Sequence, residues 1–413
     1  MKMAYLISRY PAISHTFILR EIDMLRRLGF EIYTASINAV DRQPEQLTAQ
    51  EQTELANTFY VKPSGIWGVL KAHVKTIFTH PIWYAKGLKF ALGLGKTDLH
   101  KVLYAFFYFV EAVMVGQWMR SHKVSHLHVH FGMAGATVGL IAKHTFPIEF
   151  SMTIHGPDEF YNVDDNYLAQ KILDAKFICC ISNFARSQLM MLSSPSEWDK
   201  FEISPLGVDP EVFKLRDTVL PSDVFEILCV GRLVPVKGQF VLLNAVRQLL
   251  AEGRKIRLRY IGDGPDRATL EKMVADSELN EHIIFEGAVN QDDILQFYQS
   301  AHIFTIASFA EGVPVVLMEA MMMGIPCVTT HITGIPELIG QGEGLLVAPS
   351  DEEGLAEAIR KLMDDENFYK QIAHAGHDSV MARYELGKNT ERLARIFEQR
   401  SFYAKHIHNN NNN

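Results

Sequence analysis

At 413 residues the chain is too long for one ordinary core and is sized for two domains of about 200 residues each. Its 48% hydrophobic and 21% charged content is that of a globular protein, and a net charge of −8 excludes a nucleic-acid binder built on basic surface. Cys179, Cys180, Cys229 and Cys327 sit in apolar runs without metal or redox spacing, as buried thiols in a reducing compartment do.

The opening Met1-Lys-Met-Ala-Tyr-Leu-Ile enters a strand at once rather than a signal sequence, and no uninterrupted apolar run reads as a membrane span. The expected location is therefore cytoplasmic, with peripheral attachment to the inner face of the plasma membrane as an extension of it. Lys2–Ser8 reads as a strand, Thr16–Leu28 as a helix and Phe30–Ile37 as a strand, the alternation of an α/β domain with a parallel sheet. The intervening loop, Arg9 to His15, lies at the carboxyl end of a strand, where open α/β sheets bind ligands; Ser14 there either caps the helix or meets a substrate.

Residues 61–110 set Lys62, Lys71, Lys75, Lys86, Lys89, Lys96 and Lys101 against Asp98 alone, with Trp67, Phe78, Trp83, Phe106, Phe107 and other aromatics between them. Two readings compete: helices lying in a membrane interface with lysines at lipid phosphates, or amphipathic helices with aromatics in the core. The local charge excess favours membrane contact. His126, His128 and His130 then share one face of a strand. Three such histidines could take zinc, but no Asp or Glu flanks them, so satisfied polar groups or substrate contacts are preferred and no metal is assigned. The strand Ile148–Ile154 ends in His155-Gly-Pro-Asp158, read as a site loop rather than a capped turn. Phe177–Ile181 and Asn183–Leu192 add a strand and a helix.

Proline and glycine punctuate Ser204 to Pro210, and a polar stretch runs on to Ser222, which places the boundaries at 1–204, a linker 205–222, and a second domain 223–385. A helix over 386–405 would cross back to the first domain, and the asparagine-rich 406–413 reads as a disordered tail. Phe225–Val230 opens the second domain, followed by Gly231-Arg-Leu-Val-Pro-Val-Lys-Gly238 and the helix Gln239–Leu250; Arg232 and Lys237 suit a diphosphate. Strands Leu258–Ile261, Ile283–Phe285 and His302–Ile306 deliver Gly262-Asp-Gly-Pro265, the loop through Gly287 and Val289, and Ser308 with Glu311 to the same edge. From Glu311 the chain reads Gly-Val-Pro-Val-Val-Leu-Met-Glu319, a helix started by Pro314 and stopped by Gly324. Its rise separates the two carboxylates by roughly 12 Å, about the span of a nucleoside diphosphate sugar, with free N–H groups near Val313 and Val315 for the diphosphate. A carboxylate at Glu319 amid apolar neighbours is costly without a partner. Strands Pro326–Thr330 and Leu345–Val347 and helices Asp351–Met363 and Lys388–Gln399 complete the chain.

Gly231-Arg232…Lys237-Gly238, Gly262-Asp-Gly-Pro265, Glu311-Gly-x-Pro314…Glu319 and Gly334-Ile-Pro-Glu337 together resemble the retaining glycosyltransferase family four, over most of residues 200–363. In the first domain, Tyr10-Pro-x-x-Ser-x-Thr-Phe-Ile18, His128-x-His-Phe131 and His155-Gly-x-Asp158 resemble its amylovoran and colanic-acid exopolysaccharide branch, with His15 where that branch usually has Glu. The resemblance implies the α/β GT-B fold, two Rossmann-like domains with parallel sheets facing across a cleft, the first for acceptor and the second for nucleotide sugar. It implies retaining transfer of a hexose from a nucleotide-diphosphate sugar, UDP in preference to GDP, to a saccharide or lipid-linked saccharide, with no metal and no further cofactor. Glu311 would contact the transferred sugar, Glu319 the ribose, Arg232 and Lys237 the diphosphate, and His155 the donor sugar from the opposite domain. Gly231, Gly312, Val313, Pro314, Val315 and Val316 would line the donor, Gly287 and Val289 the base, and Ser14, His15 and His130 the acceptor side. The alternatives are a non-catalytic sugar-nucleotide-binding protein and a GT-B epimerase. A dehydrogenase is disfavoured, because no Gly-x-Gly-x-x-Gly opens a helix after a strand.

Overall fold

Strands that bury both faces read as continuous apolar runs, and β1 (Lys2–Arg9), with Met3 to Ile7 all buried, is one of these. The computed structural model describes residues 1–216 and 222–410, with side chains as far as Ser401. Residues 217–221 of the expected linker and 411–413 of the expected tail lie outside the described residues. The chain divides into two compact units, Met1–Pro205 with Thr390–Asn413, and Leu206–Asn389.

In the first unit β1, β2 (Glu31–Asn38), β3 (Phe59–Tyr60), β4 (His126–His130), β5 (Glu149–Ile154), β6 (Ile178–Cys180) and β7 (Phe201–Ile203) form one parallel sheet ordered β3-β2-β1-β4-β5-β6-β7. Alternate residues of β1 feed opposite cores, as the period of two requires. Ala4 and Leu6 join Val129, Phe150 and Met152 on one face, while Met3, Tyr5 and Ile7 join Phe177 and Phe397 on the other. The second face is closed by the C-terminal helix Leu386–Asn410, whose Phe397 ring stands 4.9 Å from that of His128 and 5.8 Å from that of Phe177. That helix runs through 406–410, where the composition suggested a tail.

The second unit holds β8 (Phe225–Val230), β9 (Ile256–Ile261), β10 (Ile283–Gly287), β11 (Ile303–Ile306), β12 (Cys327–Thr330) and β13 (Leu345–Val347), ordered β10-β9-β8-β11-β12-β13 and parallel throughout. The sequence places all six within a few residues. In each unit the strand order reverses once, between β1 and β4 and between β8 and β11, and loops at such a reversal leave a crevice at the carboxyl edge.

Three differences from the sequence reading have physical causes. Residues 206–216, read as linker, pack as part of the second unit. Val208 N–H donates to Tyr384 O at 2.8 Å, Phe213 is buried, and the Arg216 guanidinium donates to Ala301 O at 2.6 Å. Helix Glu366–Arg383 was not anticipated, because His374, Gly376 and His377 break its apolar stripe. Helix Leu99–Ser121 is long and apolar enough to cross a membrane, which the sequence reading did not single out; its Phe109, Ala112, Val113, Val115 and Met119 lie in the core of the first unit. The aromatics of 61–110 divide between the two readings: Trp83, Tyr84 and Phe90 pack on that core, whereas Trp67, Phe78, Phe106 and Phe107 are exposed.

All four tryptophans, Trp67, Trp83, Trp118 and Trp198, belong to the first unit, so their fluorescence reports its unfolding. Phe397→Ala empties a fully buried site and should cost that transition about 3–5 kcal/mol in urea denaturation. An unshifted transition would show that the helix contributes nothing to this core.

Candidate active site

At the edge of the second sheet, Pro235–Lys237 forms a single tight turn closed by Gly238, whose φ of 62° is left-handed. A Cβ at Gly238 would meet Ala307 O at 2.0 Å, so glycine allows the loops after β8 and β11 to touch; Phe309 N–H donates across the same seam to Val236 O at 2.8 Å. The approach brings Lys237 Nζ to 2.6 Å from Glu311 Oε1, and Ser308 Oγ donates to that same oxygen at 2.7 Å. Glu311 is buried, and among the described residues its Oε2 has no protein partner. From the loop after β12, the Thr333 hydroxyl bonds the Glu311 carbonyl and lies 3.3 Å from its N–H. Gly334 packs so closely that a Cβ there would stand 2.2 Å from Gly312 O.

The helix after Glu311 spans Val315–Met322, with Pro314 just outside it as the N-cap rather than in its first turn. Among the described residues the N–H groups of Val315 and Val316 donate to no carbonyl, as first-turn groups do not. Gly324 stops the helix at φ 70°, and Ile325 N–H returns to Ala320 O at 3.0 Å. Val313 and Pro314 are buried, Gly312 is half-buried, and Gly231 ends β8 beside Arg232. Arg232 is exposed, and among the described residues no carboxylate pairs with it. These loops place two cations and a helix N-terminus where a diphosphate could be held. Glu319 is buried, and the partner its burial demanded is the hydroxyl of Tyr298, 3.0 Å from Oε2. Tyr298 was not foreseen, since nothing local marks a tyrosine 21 residues upstream. Gly287, at φ 79°, ends β10 and accepts from Gly262 N–H at 2.7 Å; Val289 follows, half-buried, two strands away from the Lys237–Glu311 contact.

At the edge of the first sheet, His130 closes β4 and its Nδ1 lies 2.9 Å from Nε2 of His155, which follows β5. His130 Nε2 lies 3.3 Å from Glu21 Oε1, an oxygen that accepts from Tyr5 OH at 2.8 Å. Burial holds the His155 imidazole well below its ordinary value, with His130 and His15 adding to the effect, so it is neutral at pH 7. Its Nδ1 is buried without a hydrogen-bond partner among the described residues. His15 and Phe17 stand against Phe131 and His155, with ring centroids 5.0 and 5.1 Å apart. Ser14 is exposed on the turn Ile13–His15, and His15 occupies the N-cap of helix Thr16–Arg27 without a side-chain cap, so Ser14 is no cap. His126 and His128 point at the neighbouring strand instead of a metal: His126 Nε2 and His128 Nδ1 share Ser151 Oγ at 2.7 and 2.8 Å, and His128 Nε2 meets Thr153 Oγ1 at 2.8 Å. Among the described residues no group of three His, Cys, Asp or Glu side chains could hold a metal ion.

Two residues of this edge escaped the sequence reading. Glu159, fully inside, accepts from the N–H groups of Gly132, His155 (2.5 Å) and Gly156 (2.8 Å). Lys171, also fully buried, donates to the carbonyls of Gly132 and Met133, both at 2.8 Å. Together they fasten the loops after β4 and β5 that carry His130 and His155. Burial pushes the Glu159 carboxyl up to about 7 against the three N–H donors, which favour its charged form.

Residues 213–378 match the family model described as glycosyl transferases group 1. The putative colanic acid biosynthesis glycosyltransferase WcaL of Escherichia coli (strain K12) is 27% identical over 378 residues, covering 87% of this chain and 90% of that protein. The amylovoran biosynthesis glycosyltransferase AmsK of Erwinia amylovora is 25% identical over 416 residues, 97% of this chain and 100% of its own length. Among solved structures, Anabaena HepE in complex with UDP-glucose superposes with a TM-score of 0.72 at 18% identity, covering 97% of this chain and 100% of that one. The fold of two parallel α/β sheets is thus that of GT-B glycosyltransferases, as the motifs implied.

Because Glu159 keeps its proton to about pH 7 in the folded state and releases it near 4.5 when unfolded, its contribution to stability falls as pH rises between those values. Glu159→Gln removes that slope. The stability lead of the parent over the variant should therefore shrink by about 2–3 kcal/mol from pH 4.5 to 7.5, read by tryptophan fluorescence in urea. A lead that grows with pH would mean that the three N–H donors outweigh burial.

Proposed function

Residues 213–378 form a domain of the glycosyl transferases group 1 family, and on that premise we propose that the chain is a retaining hexosyltransferase. It moves a hexose from a nucleoside-diphosphate sugar, UDP in preference to GDP, to a saccharide acceptor carried on lipid, in making an exopolysaccharide or other cell-surface polysaccharide. The observation that carries this reading is the meeting of Lys237 and Glu311 at the strand-order reversal, one cation and one buried carboxylate beside an open helix N-terminus. Its support elsewhere is the names of WcaL and AmsK and the UDP-glucose held by HepE.

The chemistry follows from where charge develops. As the bond between the sugar's anomeric carbon and the β-phosphate oxygen breaks, negative charge gathers on the departing diphosphate. Arg232, Lys237 and the N–H groups of Val315 and Val316 meet it, and preorganised donors of this kind stabilise a transition state by about 3–4 kcal/mol each. The acceptor hydroxyl forms its bond to the anomeric carbon on the face the phosphate leaves, and its proton passes to the phosphate oxygen. No side-chain base is assigned. Glu311, through its unpartnered Oε2, accepts from hydroxyls of the transferred sugar, and Glu319 from the ribose. Gly287 and Val289 flank the base, while in the first unit Ser14, His15 and His130 serve the acceptor.

Glu311→Gln and Lys237→Ala should each lower transfer from UDP-glucose by about 10²–10³-fold with melting temperatures near the parent's. The product should keep the donor's anomeric configuration by proton NMR. Full activity in either variant would remove these residues from the reaction, and an inverted product would overturn the retaining assignment.

A further inference from the structure

A soluble protein's surface helix turns its apolar stripe inward; helix Gly65–Thr79 of the first unit does the reverse. Ile66, Trp67, Leu70, Val74, Ile77 and Phe78 recur at helical spacing and all are exposed, Ile66 at 71%, Trp67 at 80% and Phe78 at 81%. The opposite side is the one that packs: Thr76 is buried and its hydroxyl accepts from Gln117 at 2.8 Å, while the His73 ring lies 3.0 Å from Tyr84 OH and 3.3 Å from Val110 O. An exposed apolar stripe of this length in a folded chain marks a contact surface.

Its charge says what it contacts. Lys71 and Lys75 sit on the same helix beside the stripe, and Lys86, Lys89 and Lys96 follow on the next helix, Pro81–Leu94, and just after it. All five are exposed, and among the described residues none has a carboxylate partner. The lone acid of the region, Asp98, is occupied in capping helix Leu99–Ser121, accepting from His100 N–H at 2.9 Å and Lys101 N–H at 3.2 Å. A chain of net charge −8 repels anionic surfaces everywhere except where cations collect without counter-charges. A second copy docking by the same patch would set these lysines against one another across the two-fold axis. An anionic bilayer supplies both what the apolar stripe needs and what the lysines need, with the helix lying flat and Trp67 and Phe78 at the acyl boundary.

We infer that the outward stripe of helix Gly65–Thr79, with the lysines of 71–96, is a docking surface for an anionic lipid bilayer. This goes beyond the transfer reaction and does not depend on it: the surface lies outside the loops assigned to the donor.

The test is sedimentation of the full chain with vesicles of phosphatidylcholine alone and of phosphatidylcholine and phosphatidylglycerol in equal parts, at low and high salt. Binding should be seen with the anionic vesicles and weaken as salt rises. Lys71→Ala with Lys75→Ala should reduce it about 25-fold, two basic contacts of roughly fivefold each. Trp67→Ser with Phe78→Ser should abolish it, with melting temperature and the thermal shift produced by UDP unchanged in both variants. No sedimentation of the parent with anionic vesicles at low salt overturns the inference. So does sedimentation that both double variants retain, and so does a dimer in solution that these variants dissolve without any vesicle binding.

Discussion

An ammonium and a carboxylate 74 residues apart in sequence, Lys237 and Glu311, meet at 2.6 Å because the strands that carry them are neighbours in the sheet. That adjacency follows from the order β10-β9-β8-β11-β12-β13, in which the chain leaves β8 toward one edge and returns to start the other half at β11. Connections on the two sides of such a reversal run apart, which leaves the carboxyl ends of β8 and β11 to their loops. What fills the gap is a pair of loops pressed together through Gly238. The buried Glu311 finds its partners there in Lys237 and Ser308, which share its Oε1. The contact thus holds the Glu311 carboxylate at the sheet's edge with one oxygen taken by Lys237 and Ser308 and the other without a partner among the described residues.

The first unit solves a related problem with different chemistry. Its reversal lies between β1 and β4, and its loops are fastened by backbone contacts to two buried side chains, Glu159 and Lys171. Of the histidines they hold, His155 is neutral and set against the rings of Phe17 and Phe131, so this edge offers shape and hydrogen bonding, whereas the second unit offers charge.

How much of this was legible beforehand depends on how local the cause is. The six strands of the second unit, the stop at Gly324 and the candidate set of Arg232, Lys237, Glu311 and Glu319 follow from periodicity and from loops at strand ends, which are local signals. The cost of burying Glu319 announced a partner without saying which, because Tyr298 reaches it from another helix. Glu159 and Lys171 were passed over because a Glu after a turn and a Lys in a short helix look solvated until the loops after β4 and β5 close around them. β3 and β7, of two and three residues, are too short for any period to show. Ser204 to Pro210 reads as a linker by composition, yet Val208 and Phe213 are drawn into the second unit by contacts from far along the chain. The aromatic stretch at 61–110 left two readings open because spacing tells which residues share a face, not which way that face turns.

The central claim, that the crevice beside Lys237 and Glu311 takes a nucleoside diphosphate sugar, is tested most directly by a thermal-shift panel of UDP, GDP, ADP and their common sugars on the parent and on Lys237→Ala. A ligand present at 100 times its dissociation constant stabilises the fold by about 2.7 kcal/mol. The account predicts that UDP and a UDP-hexose raise the parent's transition and that Lys237→Ala largely loses the shift. A parent indifferent to every nucleotide, or a shift that survives the loss of Lys237 intact, would contradict it.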